Sequence, residues 1–105
     1  MLKVLMEFRK GILFVRLYGA LNEDDISTFK KDVKEVIVDS GIMYVVLNID
    51  GVDSISNEGV KEIKKLRKIL KKTGGEFFLF GGNIKELKSL VNLENELKVF
   101  EKVVI

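Results

Sequence analysis

The sequence predicts a single α/β domain spanning residues 1–105. Its mixed β-sheet has about four to five strands, with three helices packed on it in the order β-β-α-β-α-β-α-β. Three features predict this. The chain opens with two β-type runs joined by Lys10-Gly11, a hairpin signal. Two further apolar runs, MYVVLNI and EFFLF, each follow a stretch of helical periodicity, the alternation that builds a sheet with helices laid on it. No linker, internal repeat or low-complexity segment divides the chain.

In order, residues 4–8 and 12–18 form the hairpin strands. In the second, Phe14, Arg16 and Tyr18 alternate with Leu13, Val15 and Leu17, so one face is the more polar. Gly19-Ala20-Leu21 leads into a helix capped by Asn22, and Glu23, Asp24 and Asp25 suit its positive end. Ile26, Phe29, Val33, Val36 and Ile37 fall on one helical stripe, and Gly41 closes the helix. Residues 43–49 read as a central strand covered on both faces. Asp50-Gly51 then turns the chain, and residues 52–56 form a short connection. A second helix runs over 57–72, with Val60, Ile63, Leu66 and Leu70 on its apolar face, and Gly74-Gly75 ends it. Residues 76–80 form the next strand, left through Gly81-Gly82. Asn83 with Glu86 makes a capping box for a short third helix carrying Leu87, Leu90 and Val91. Residues 97–105 add a last strand or a helical turn at the edge.

Composition excludes whole classes of function. Cysteine, histidine, tryptophan and proline are absent, so there is no zinc site of the usual donors, no redox pair and no histidine base. No run resembles a calcium loop, and neither glycine pair fits a phosphate-binding fingerprint. No catalytic residue, metal or cofactor is expected, and the chain reads as a non-enzyme. The N-terminus lacks the uninterrupted apolar core of a signal peptide, and no stretch approaches the ~18 apolar residues of a membrane span. The expectation is a soluble, cytoplasmic protein. A formal charge of +2 does not by itself imply a nucleic-acid partner. The helix over 57–72 does concentrate Lys61, Lys64, Lys65, Arg67, Lys68, Lys71 and Lys72, with Glu62 among them. Without interleaved aromatics to stack on bases, this is read as the solvated face of an amphipathic helix.

The most informative segment, residues 52–60, follows the central strand and opens the second helix. Free backbone N–H groups at a helix start orient anions and partner contacts. Ser56 is explained either as an N-cap or as a functional residue. Gly59 in the first turn costs up to ~1 kcal/mol against alanine, which implies the close approach of another backbone or of a partner.

Together the GALN turn at 19–22, the strand VVLNIDGVDSIS, the helix opening SNEGV and the later GGEFFLFG resemble the STAS domain family of anti-sigma factor antagonists, over about residues 2–99. The resemblance implies a protein-binding module that engages an anti-sigma factor or serine kinase-like switch protein and so regulates bacterial transcription by partner switching. In that family, phosphorylation at the start of the second helix cancels binding, within a motif Asp-Ser-Ser/Thr-Gly. On this chain the Asp position is Ser56, the acceptor position is Asn57, the next is Glu58, and only Gly59 is kept. The acidic residue that ends the family's turn after the second strand falls on Asn22. The resemblance therefore implies partner contacts at Asn22, Ser54, Ser56, Asn57, Glu58, Gly59 and Ile63. No phosphorylation is expected at Asn57, and Ser56 and Ser54 are substitute acceptors offset from the family position. A phosphate would bring about −1.5 to −2 charges, and Glu58 supplies a smaller permanent one. Two outcomes stay open: constitutive binding, or a Glu58 that imitates the modified state. A monomer or weak dimer is expected. The alternatives are a non-phosphorylatable scaffold subunit of a signalling assembly and a nucleic-acid binder using the lysine-rich helix.

Overall fold

The structure, a computed structural model, describes residues 1–81; the expected third helix and the expected last element at 97–105 lie outside the described residues. Within them the order of elements is the predicted one. Strands β1 (Leu2–Arg9) and β2 (Ile12–Leu21) form the hairpin. A helical run follows: a 3₁₀ turn Glu23–Asp25, then α1 (Ile26–Phe29), a wide π-type turn Lys30–Lys34 and α2 (Glu35–Asp39). Then come β3 (Tyr44–Ile55), α3 (Asn57–Lys72) and β4 (Glu76–Phe80).

The four strands lie in the order β1-β2-β3-β4. The first pair is antiparallel and the other two are parallel, so each parallel step is bridged by helix, as parallel neighbours require. At the hairpin Lys10 and Gly11 both take positive φ, 50° and 84°, which matches the twist of the strands they join. The helices cover one sheet face. Leu13, Val15 and Leu17, Val45, Leu47 and Ile49, and Phe77 and Leu79 meet Phe29, Val33 and Ile37 and the α3 stripe Val60, Ile63, Leu66 and Leu70 in one buried cluster. On the opposite face Ile12, Phe14 and Val46 form a smaller cluster with Phe78 and Phe80 packed on it.

Three local expectations are corrected. Val36 was placed on the core stripe but is 38% exposed. The wide turn at 30–34 is the reason: it adds to the residues per turn, so steps of four (29, 33, 37) stay on the core and Val36 rotates outward. Second, β2 does not end at Tyr18 but continues through Gly19-Ala20-Leu21. Third, Asp50-Gly51 does not turn the chain, because β3 runs on to Ile55. The two extensions support each other, with Tyr18 opposite Gly51, Gly19 opposite Val52 and Leu21 opposite Ile55. Gly51 is a close-approach glycine: a Cβ there would strike the Tyr18 ring and stand 2.9 Å from the Leu17 carbonyl oxygen.

Candidate functional site

Because β2 and β3 are parallel and end level, at Leu21 and Ile55, both chains leave the sheet side by side and each enters a helix. The carboxyl ends of parallel strands, where two helix starts converge, are where α/β sheets commonly place a binding site. Here the corner is tied together by short polar contacts. The Ser56 N–H donates to the Leu21 carbonyl at 3.1 Å, joining the start of α3 to the end of β2. Ser56 itself is extended (φ −86°, ψ 168°), and its Oγ accepts the Gly59 N–H at 3.1 Å, so it caps α3.

Asn22 was expected as a helix cap, and it does open the 3₁₀ turn: its own N–H donates to Asp25 Oδ2 at 3.1 Å. Its side-chain amide also reaches across, Nδ2 donating to Ser54 Oγ at 2.9 Å. Two expected site residues 32 positions apart in sequence are therefore in direct contact.

Ser54, Asn57 and Glu58 are exposed, and Asn22 and Ser56 are half-buried. These five make one polar surface. Gly59 and Ile63 do not belong to it as contact residues. Gly59 is buried: a Cβ would run into the Leu21 carbonyl oxygen and stand 2.9 Å from Ile55 Cγ1 and 3.0 Å from Leu21 Cγ. The close approach that its sequence position implies is made by the chain's own β2 backbone. Ile63 is 0% exposed and is a core residue, so the expectation that it contacts a partner is corrected. Its spacing from Val60 and Leu66 already placed it on the apolar stripe.

Exposed Glu23, Asp24, Asp53 and Glu58 make the outward side of the two helix starts acidic. The grouping depends on the pairing of Leu21 with Ile55, which no local signal announces. The lysines of α3 lie farther along the helix. Lys61, Lys64, Lys65, Lys68, Lys71 and Lys72 are exposed, as a solvated face should be. Glu62 does not share that face. It is 5% exposed and holds the ammonium groups of Lys65 at 3.3 Å and of Lys30 at 3.7 Å, bridging α3 to the first helical run. Among the described residues no helix is long and apolar enough to cross a membrane.

Solved structures with the same architecture include SpoIIAA, an anti-sigma factor antagonist, in two forms and a second anti-sigma factor antagonist. SpoIIAA in its unphosphorylated form is 14% identical, with 98% of this chain and 97% of that one covered at a TM-score of 0.72. The Bacillus cell fate determinant SpoIIAA in its phosphorylated form is 13% identical, over 96% and 99% of the two chains, at 0.72. An anti-sigma factor antagonist from Mycobacterium paratuberculosis is 16% identical, over 99% and 83%, at 0.70. At such identities the likeness is one of fold. A sequence model of the STAS domain matches residues 3–104, nearly the whole length, and the chain belongs to the STAS domain family.

Proposed function

We propose that this STAS domain is an anti-sigma factor antagonist-like binding module of the cytoplasm. It acts by engaging an anti-sigma factor or switch kinase through the corner where β2 and β3 give way to helices. The observation that carries the reading is the Asn22–Ser54 hydrogen bond beside the capped start of α3, which sets Asn22, Ser54, Ser56, Asn57 and Glu58 in one fixed polar surface. Three of these side chains are open to solvent, and the frame beneath them is built from main-chain contacts. Such a surface can be read by a partner without rearranging. Asn57 stands at the family's acceptor position and has no hydroxyl, so the module works without the phosphate switch at that site. Of the two substitute acceptors, Ser56 Oγ is occupied in capping α3, whereas Ser54 Oγ lies on the exposed surface and accepts from Asn22.

The test is retention of proteins from the native cell extract on the immobilised chain, identified by mass spectrometry, beside Asn57→Arg and Glu58→Arg. Both variants change exposed side chains, and an unchanged circular dichroism spectrum checks that each is folded. Retention of an anti-sigma factor or switch kinase by the wild type, lost in the two variants, supports the reading. Equal retention by all three would move the interface away from this corner. With the recovered kinase and labelled ATP, Asn57→Ser is expected to take up phosphate at position 57, where the wild type has no hydroxyl to accept it.

A further inference from the structure

We infer that β1 is the docking edge for a second copy of this chain, pairing antiparallel with its own equivalent about a two-fold axis through Leu5. Strand β1 sits at one end of the sheet, and among the described residues no strand pairs with its outer edge. An eight-residue edge strand carrying exposed apolar side chains is a template for another strand unless something covers it. Here Leu5 is 48% and Phe8 60% exposed. A shallow groove lined by Val4 and Met6 of β1 and by Lys31, Glu35 and the outward-turned Val36 runs along the same edge.

The geometry of the hairpin states which backbone groups are available. Arg9 and Ile12 flank a two-residue turn and form its hydrogen-bonded pair. By alternation, Lys3, Leu5, Glu7 and Arg9 spend their N–H and C=O groups on β2, whereas Leu2, Val4, Met6 and Phe8 point theirs outward. Residues directly opposed across two strands point to the same side of the sheet. Only registers whose paired numbers sum to an even value therefore keep both copies' helices on one face.

Charge selects among those registers. When the paired numbers sum to ten, Lys3 opposes Glu7 of the second copy and Glu7 opposes its Lys3, while Leu5 meets Leu5 on the axis. On the helix-covered side Val4 then opposes Met6, and Leu2 opposes the exposed Phe8. The outward-pointing groups of these four residues supply roughly eight main-chain hydrogen bonds. A slip to twelve puts Lys3 against Arg9, a slip to fourteen puts Glu7 against Glu7, and a slip to six puts Lys3 against Lys3. Each sets like charges face to face, and a slip to eight gives up both ion pairs, leaving Lys3 against Leu5. In the single chain the Glu7 carboxylate pairs with the exposed Arg9 of its own strand, and it can keep that partner while it accepts Lys3. One edge strand makes a smaller interface than the ~1,200–2,000 Å² of stable complexes, so the dimer is weak, with a dissociation constant on the order of 100 µM.

The experiment is sedimentation equilibrium of the purified chain from low micromolar to millimolar concentration, with a charge-exchange series. Wild type is expected to dimerise reversibly. Lys3→Glu and Glu7→Lys each weaken the dimer by about tenfold, because two attractive cross-strand pairs become repulsive. The double exchange Lys3→Glu/Glu7→Lys restores it to within about threefold, a rescue that a loss of folding or solubility would not produce. A second measurement does not depend on affinity. The chain has no cysteine, so Leu5→Cys introduces its sole thiol, placed within disulfide reach of its copy on the axis. Mild oxidation should give covalent dimers with Leu5→Cys far faster than with Phe8→Cys, which opposes Leu2. A wild type that stays monomeric at all concentrations, or equal cross-linking of the two cysteine variants, would overturn the proposal. So would a dimer in which the double exchange fails to rescue.

Discussion

Replacing Gly59 by alanine tests whether the corner is built as described, because two effects there have opposite sign. In an open helical position, glycine to alanine stabilises by up to about 1 kcal/mol, since alanine loses less backbone freedom on folding. At Gly59 the added methyl meets the Leu21 carbonyl oxygen, with Ile55 Cγ1 at 2.9 Å and Leu21 Cγ at 3.0 Å. The first of these is backbone held in the sheet by the Leu21–Ile55 pairing, and the same oxygen accepts the Ser56 N–H, so it cannot swing aside as a flexible side chain could. The start of α3 must lift instead, loosening both the Ser56 cap and the Ser56–Leu21 bond. Forcing extra carbon into a packed site costs about 1–3 kcal/mol. Because the methyl meets backbone that cannot give way, the cost falls in the upper part of that range, and net of the propensity gain Gly59→Ala is expected to destabilise by about 1–2 kcal/mol. For a domain of this size that lowers the melting temperature by roughly 5–15 °C. Urea denaturation followed by circular dichroism measures it, with the exposed Lys64→Ala as a control that should change little. A Gly59→Ala protein as stable as the wild type, or more so, would refute the packing described for this corner.

The remaining predictions concern the cap, the buried carboxylate and the core. Ser56→Ala removes the acceptor of the Gly59 N–H and should cost about 1 kcal/mol, with Ser56→Asp recovering most of it in the same denaturation assay. Lys30→Ala and Lys65→Ala should each change stability by less than about 0.5 kcal/mol, because each ammonium is roughly half exposed and the other still serves Glu62. The double variant leaves the buried carboxylate of Glu62 without a cation among the described residues and should lose about 1–3 kcal/mol, a non-additivity read from the double-mutant cycle. Leu66→Ala, fully buried in α3, should cost about 2–5 kcal/mol by urea midpoint.

The elements legible in the sequence were those whose period is set by burial on one face. The alternation of residues 12–18, the apolar stripe of α3 and the short run at 76–80 each follow from where a side chain must point to leave water. The misread stretches were those decided by a distant segment. Asp50-Gly51 has the composition of a turn, yet β3 continues through it because residues 18–21 lie alongside and satisfy its backbone, and because the Tyr18 ring needs the space a side chain would fill. Val36 sat at helical spacing, but one wide turn moved it off the stripe, and nothing in the local residue types marks that turn. At the site, the N-cap role of Ser56 was readable because a serine before a helix announces itself. The contact of Asn22 with Ser54 was not, since it depends on the register of two parallel strands.

This distinction also separates what the fold demands of the corner from what it leaves free. Ser56 must accept a helix N–H, Gly59 must carry no side chain, and Ile63 must fill the core. Substitutions at these three act first on stability, so a lost interaction measured with them would say little about an interface. Asn57 and Glu58 carry no such demand, being exposed in the first turn of α3 with the cap already supplied by Ser56. A carboxylate at Glu58 is favourable there for the helix alone, worth about 0.3–1 kcal/mol near the positive end of its dipole. Its charge thus has a sufficient cause within the fold, and a phosphate-like role does not follow from its sign. It follows only if Glu58→Gln changes partner affinity by more than the small effect that the helix term allows. The residues best able to report on function are therefore the ones the structure constrains least.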